Sequence, residues 1–371
     1  MESLSIGALV PLVALLAADN PQHAEDPWRA RAVFISDDRL TLLKSRIDEK
    51  TEPTWTAWLQ VKGAADAALD RQPHAPTKWH VPYYYEDPEG HAGAKQGLQD
   101  DANGAYALSL AYRMTGEEEY ARATARLLNA WATEVEILER TQDSGLSFSY
   151  HFPALIFAAD LIEDSPSWPE PDQRAFKDFV RKKAIPQNTM EKDNNWGNWG
   201  LVLVMASAAH LDDKGLFEQA VSRWKEFIEE QIADDGHLVH EVNRGGFGRK
   251  GDYGMWYSHF SLMPQTIAAE IARVNGVYLY DYVSPSGRSL RLAFEWLVPW
   301  VCEPERFPYF QGGEVRKLVG VQYVSYFEIL NVHWPIANAA AVLAKLRPLT
   351  ARHSAPFLTF THGDLPLPNS E

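Results

Sequence analysis

The chain has 371 residues, with 35 Lys and Arg against 50 Asp and Glu, a formal net charge of −15. That sign excludes a general nucleic-acid binder and a peripheral protein held on anionic lipid, because both draw their affinity from an excess of cations. At 46% hydrophobic and 23% charged, the chain can bury a large core, and its one cysteine, Cys302, rules out an intrachain disulfide framework and any Cys-based zinc or iron–sulfur centre.

The first predicted element is the apolar run 4–18. It is too short to span a bilayer, which takes about 20 apolar residues. It resembles the hydrophobic region of a secretory signal, with Ala17, Ala18 and Ala24 nearby, although Met1-Glu2-Ser3 supplies no basic start. Residues 1–26 are therefore expected to be a signal-like or N-terminal apolar segment, and the protein to be secreted or periplasmic. The alternative is a helix lying against the body of the protein.

From Pro27 onward apolar residues recur at spacings of three and four, with no run of alternating strands. Ser36 is placed to cap a helix carrying Leu40, Leu43 and Ile47; 54–69 repeats the pattern; and 99–114 carries Ala102, Tyr106, Leu110 and Met114. Further helices are predicted over 117–135, 152–162, 172–183, 198–211, 214–233, 259–274, 290–302 and 324–346. Short turns such as Thr115-Gly116 and Asp212-Asp213 alternate with longer, polar, aromatic-rich loops. Antiparallel helix pairs with their long loops gathered at one end describe an α/α toroid or an α-solenoid, and the lack of a fixed-period repeat favours the toroid. The expected architecture is all-α, a single α/α toroid over 27–347. A Pro-rich tail, 348–371, is expected to wrap the surface or fray.

The 13 Trp, 15 Tyr and 16 Phe are 12% of the chain, and several lie among polar or Gly-rich neighbours, as in Trp79-His80-Val81-Pro82-Tyr83-Tyr84-Tyr85. Flat rings in polar company suit sugar stacking, though most of these rings are expected to fill a helical core.

Three segments carry candidate chemistry. Asp193-Asn194-Asn195-Trp196-Gly197-Asn198-Trp199 stands just before an apolar helix, where amides and free backbone N–H groups can receive an anion or simply cap the helix. The stretch 237–259 gathers His237, His240, Arg244, Arg249, Lys250 and His259 around glycines, a basic island in an acidic chain. Its His237, His240 and Glu241 do not fit the pattern of two histidines on one helix face that binds zinc, so neither a metal nor another cofactor is expected. The third is His151, which precedes Pro153 at a helix start and reads most simply as a structural histidine.

The order of segments resembles the alginate-lyase family of polysaccharide lyases. The matching pieces are Ala105-Tyr106-Ala107-Leu108-Ser109-Leu110-Ala111-Tyr112 with Thr115-Gly116 and Leu127-Leu128-Asn129-Ala130-Trp131; Asn194-Asn195; Gly236-His237-Leu238 running to Arg244-Gly245; and Tyr257 ahead of Pro264 and Ala268-Ala269-Glu270-Ile271-Ala272. The resemblance implies an α/α toroid that cleaves a uronate polymer by β-elimination, with Asn194 or Asn195 and Arg244 beside the substrate carboxylate and Tyr257 in the reaction. Two departures stand out. Trp196 occupies the place of the family's catalytic His, and the Gly-rich stretch before Tyr257 makes Arg249 and Lys250 alternative cations and Tyr253 a competing tyrosine. The missing His is then supplied by His240 first or His151 second, or the base is the tyrosine alone.

The chemistry explains the residue types. A uronate C5 proton is poorly acidic beside a charged carboxylate, so donors must neutralise that group before a base removes the proton and an acid protonates the leaving O4. The expected assignment is His240 as base, Tyr257 as acid, Asn195 and Arg244 as neutralisers, and Trp196, Trp199 and Trp256 as sugar platforms. Asn194, His151, Arg249, Lys250 and Tyr253 are further substrate contacts. The expected partner is an anionic uronate polysaccharide. The alternatives are a glycoside hydrolase on the same fold, with Asp100, Asp101, Glu241 and Asp252 as available carboxylates, and a non-catalytic glycan binder.

Overall fold

The computed structural model describes residues 30–245, 253–312 and 323–365. The segment 1–26, the loop holding Arg249, Lys250 and Asp252, and the last six residues lie outside this set. Fourteen α-helices are present among the described residues: α1 (Asp37–Asp48), α2 (Thr54–Ala68), α3 (Pro88–Thr115), α4 (Glu118–Glu134), α5 (Ser144–His151), α6 (Pro153–Leu161), α7 (Glu170–Phe179), α8 (Asn195–His210), α9 (Lys214–Gln231), α10 (Gly254–Val274), α11 (Leu290–Cys302), α12 (Phe327–His333), α13 (Ala337–Leu346) and α14 (Leu358–His362). The only strands among them are β1 (Lys78–Trp79) and β2 (Ile137–Leu138), which pair in parallel and tie two loops together. None of these helices is long and apolar enough to cross a membrane.

Helix ends follow the local chemistry. The Ser36 side chain caps α1 as expected, Asp87 caps α3 and Asp213 caps α9, each accepting from a backbone N–H of the first turn. Gly116 ends α3 at φ 76°, a left-handed conformation that favours glycine. Three helices depart from the periodicity. α3 begins eleven residues before the predicted 99 because Asp87-Pro88 starts it with a cap and an N1 proline. The predicted 324–346 splits at Trp334-Pro335 into α12 and α13, where the ring of Pro335 cannot continue a helix. α10 begins five residues early, so Tyr257 sits in its first turn.

Two kinds of helix alternate. α6, α8 and α10 are buried almost throughout, whereas α4, α7 and α9 bury one face. The buried helices and their neighbours form a closed series: α2 packs on α3, α3 on α6, α6 on α8, α8 on α10, α10 on α12, α12 on α14, and α14 back on α2. This is an α/α toroid, and the C-terminal α14 closes it. The described part of the tail expected on the surface, 348–365, is instead largely core: Leu349, Ala351, His353, Ala355, Phe357, Leu358 and Phe360 are all buried. The sequence reading failed there because 348–365 is too short and too interrupted to show a periodicity of its own.

Buried aromatic rings account for much of the composition. Trp79, Trp131, Trp168 and Trp224 are sealed, and each indole N–H finds an acceptor: Ser144 O at 3.1 Å, Asp101 Oδ2 at 2.9 Å, Asn129 Oδ1 at 3.0 Å and Gln265 O at 2.9 Å.

The topology gathers one end of the toroid. The connections leading into α3, α10 and α14, 69–87, 232–253 and 347–357, are long, as is 135–152, which carries α5 and leads into α6; 188–194 leads into α8; and α3 to α4 and α8 to α9 turn in two or three residues. The inner helices therefore present their N-terminal ends and their long loops on the same side, where the helix dipoles favour an anion.

Candidate active site

Two close backbone approaches shape the centre of this end. A β-carbon on Gly197 would overlap Lys192 O, and one on Gly254 would overlap Val242 O. The glycines of Asn194-Asn195-Trp196-Gly197 and of Tyr253-Gly254 thus serve tight packing of the preceding segments across the first turns of α8 and α10.

Asn194 caps α8, its side-chain oxygen accepting the Trp196 N–H at 3.0 Å. Asn195 behind it is buried, and its contacts all lead to Glu241. That carboxylate accepts the Asn195 backbone N–H at 2.8 Å and the Nδ2 group at 2.9 and 3.1 Å. Burial pushes the Glu241 carboxyl above its usual range, opposed by the Asn195 donors and the charges of Arg244 and His240. Three residues on, the backbone N–H of Arg244 donates to Glu241 O, and the guanidinium lies 4.4 Å from the centre of the Tyr257 ring. The Tyr257 hydroxyl is 2.8 Å from the Tyr85 hydroxyl. Burial and Tyr85 push the Tyr257 phenol well above its ordinary value, while Arg244 pulls the other way. The order Asn195, Glu241, Arg244, Tyr257, Tyr85 is thus one connected line across the end of the toroid.

Around this line the wall is aromatic and basic. Trp256 leans on Tyr257 with ring centres 4.9 Å apart and also meets Tyr253 and Tyr323. Tyr83, Tyr84 and Tyr85 are exposed on the loop before α3. Lys95 donates to the Tyr150 hydroxyl at 3.1 Å, and burial, with the nearby Arg352, draws its ammonium down to about 8.

Several predicted site residues stand elsewhere. Trp199 is fully buried against Tyr150, Phe260 and His353, so no sugar can stack on it. It belongs to the core because the α8 face that carries it turns toward α5 and α10. His151 is buried too, its ring stacked on His353 at 5.4 Å, and burial holds its imidazole well below the usual value. His240 is exposed, and no contact joins it to Tyr257 or Arg244 among the described residues. Trp196 is half-buried, its carbonyl accepting from Asn188 Nδ2 at 2.7 Å, and Tyr253 is buried with its backbone N–H on Arg244 O. Arg249 and Lys250 fall outside the described residues. Asn198 is structural, its amide reaching Gln231 on α9 and Ser261 on α10.

The sequence reading placed Tyr85 only in a general aromatic run and did not single out Lys95, Tyr150, Tyr323 or His353. Nothing local marks these residues, which are collected by packing from four distant segments. Of the carboxylates available to the hydrolase alternative, Asp101 is sealed under His74 and Trp131, Glu241 is engaged by Asn195, Asp100 is half-buried beside Gln96 and Arg71, and Asp252 lies outside the described residues. No group of three or more His, Cys, Asp and Glu gathers as a metal site among the described residues.

Comparison with known proteins agrees with the fold. The alginate lyase family model matches residues 46–307. A polysaccharide lyase from Stenotrophomonas maltophilia is 26% identical over 62% of this chain and 69% of its own length. An alginate lyase from Pseudomonas fluorescens is 26% identical over 47% of this chain, and the chain spans 43% of that relative. Among solved structures, an alginate lyase from Bacteroides ovatus superposes with a TM-score of 0.71 at 20% identity, covering 91% of this chain and 100% of that one. A variant of alginate lyase A1-III in complex with a tetrasaccharide gives 0.76 at 17% identity over 93% and 99% of the two chains; the A1-III enzyme is from Sphingomonas species A1. At these identities the superpositions speak for the fold, whereas the family match covers well over half of the chain. This chain belongs to the alginate lyase family of polysaccharide lyases.

Proposed function

We propose that the enzyme cleaves a 1,4-linked polymer of β-mannuronate or β-glucuronate by β-elimination, with Tyr257 as the proton-transfer group and Asn195 and Arg244 neutralising the uronate carboxylate. The observation that carries this reading is the Arg244 guanidinium over the Tyr257 ring, joined through Glu241 to the buried Asn195 amide. Mannuronate and glucuronate differ at C2, not at C5 or the 1,4-linkage, so one apparatus serves both. In each, the C5–H and C4–O bonds lie on the same side, and a single group can serve both ends of the reaction. The Tyr257 oxygen, as phenolate, takes the C5 proton; the electron pair forms the C4–C5 double bond; the C4–O4 bond breaks; and the phenol returns the proton to O4. The exposed position of His240 and the burial of His151 support the tyrosine in place of a histidine base.

This reading makes a distinct pH prediction. The raised phenol value keeps Tyr257 protonated at neutral pH, so the reactive phenolate grows about tenfold per pH unit, and kcat should climb into the alkaline range. A histidine base, with its ordinary value near 6.5, would level off around neutrality. His240→Ala should keep the alkaline rise, measured as ultraviolet absorbance of the unsaturated product on polymannuronate, polyguluronate and glucuronan, with and without a chelator. A neutral plateau lost in His240→Ala would return the base to His240. Ultraviolet-silent cleavage giving saturated ends would point to a hydrolase, and binding without cleavage to a glycan-binding protein.

A polymer of this kind meets its enzyme outside the cytoplasm, and the apolar run at 4–18 supports export. Expression in a host with a secretion pathway should yield a mature N-terminus near residue 26, read by intact mass. A full-length chain retained in the cytoplasm would count against export.

A further inference from the structure

Glu241 is a carboxylate with 1% exposure in a site proposed to receive another carboxylate. A buried negative charge is costly, and among the described residues the hydrogen-bond donors on its side-chain oxygens come from Asn195, with no Lys or Arg bonded to it directly. Capping the first turn of α8 would require only the bond from the Asn195 backbone N–H. The two further contacts, from Nδ2 to both carboxylate oxygens, go beyond capping and hold the side chain.

Their geometry is informative. An ionised carboxylate only accepts, so the Asn195 amide must turn Nδ2 toward it and Oδ1 away. The two oxygens of one carboxylate are too close together to take one hydrogen each from an amide nitrogen whose N–H bonds diverge by about 120°. Both therefore share a single N–H, and the second N–H is left for another acceptor. Oδ1 is buried without a partner among the described residues, so no other hydrogen bond among them fixes the amide plane.

We propose that Glu241 is a positioning residue that holds the Asn195 amide in one orientation and aims its second Nδ2–H at the carboxylate of the sugar undergoing elimination. The proposal rests on the uronate-lyase reading of the site. Glu241 touches no substrate in it and acts through Asn195.

The test is a double-mutant cycle read by steady-state kinetics on the polymer that the wild-type enzyme cleaves. Glu241→Ala should lower kcat by about 30-fold or more with KM changed less than about threefold, because the lost contact matters most as charge develops on the carboxylate. In an Asn195→Ala background the same change should cost less than about twofold, since the group being positioned is already gone. Glu241→Gln, whose carbonyl oxygen can still accept the Asn195 N–H, should recover kcat to within about fivefold of wild type. Equal losses in the two backgrounds would overturn the proposal, leaving Glu241 a purely structural group. Should the alanine variant unfold, Glu241→Asp withdraws the oxygens by one methylene and keeps the charge; wild-type kcat in that variant would overturn it as well. Absence of unsaturated product from the wild-type enzyme on every polyuronate would instead overturn the functional reading.

Discussion

Tyr257→Phe is expected to lower kcat by on the order of 10³-fold while KM moves by less than about threefold. The substitution removes one oxygen and leaves the ring, which packs on Trp256 and Phe260 beneath the Arg244 guanidinium. Polymer binding depends on the aromatic and cationic wall, so it should survive. The lost oxygen is the only phenol held by both Arg244 and Tyr85 among the described residues, and in the proposed reaction it both takes and returns the proton. Ultraviolet progress curves give kcat, and titration calorimetry on the inactive variant gives affinity directly. Near-native turnover in the phenylalanine variant would remove Tyr257 from the reaction and make Tyr85 or Tyr253 the next tyrosine to replace.

Glu270→Ala should destabilise the fold by about 3 to 5 kcal/mol, because it strands buried partners that this carboxylate now satisfies. Glu270 lies on α10 and accepts from Arg273 at 2.7 and 2.9 Å, from the Tyr280 hydroxyl at 2.9 Å and from His362 on α14, Nε2 at 3.2 Å. Nε2 of His362 carries the hydrogen for Glu270, and its Nδ1 lies 2.8 Å from the Thr361 hydroxyl. Arg39 on α1 is buried beside them. A second buried pair repeats the arrangement nearby, where Arg347 holds Glu328 on α12 and also reaches Asp364 just beyond α14. Both networks tie α14 to the middle of the chain, so their loss loosens the closure of the ring.

Burial alone would raise the Glu270 carboxyl, but the bonds from His362 and Arg273 outweigh it and hold the group well below the usual carboxylate range. A depressed carboxyl contributes stability above its unfolded value of about 4.3, and that contribution is lost only as pH falls through the lower folded value. The wild-type protein should therefore keep this term through mild acid, and the alanine variant should start from a lower plateau at neutral pH. Urea midpoints at pH 7 and pH 5 measure both. An unchanged midpoint at pH 7 would mean that the network is not what closes the toroid.

The helices were legible because the inner and outer elements carry apolar residues at spacings of three and four over long stretches, as in α3, α8 and α10, and because a capping residue such as Ser36 acts locally, although the Asp87 cap lies ahead of the periodic part of α3. The Asn pair, Arg244 and Tyr257 were legible through their order along the chain. Trp199 misled because a polar, Gly-rich neighbourhood looked exposed, whereas Gly197 and the glycine that follows Trp199 mark close packing on the segment 188–192. Membership of a basic stretch could not show that His240 stands exposed, with no contact to Tyr257 or Arg244 among the described residues. The role of Glu241 depends on two segments 46 residues apart meeting within 3 Å, and the inclusion of His353 and Arg352 in the wall depends on a tail with no periodicity.

Composition, periodicity and caps, all local properties, thus determined an acidic, mostly helical chain with one cationic region, while its class of chemistry was implied by the resemblance that the order of its segments carries. Which tyrosine meets the arginine, which carboxylate fixes the amide, and that the C-terminal segment closes the ring were decided only by tertiary packing. Those contacts join residues far apart in the chain, and their energies exist only once the helices have docked.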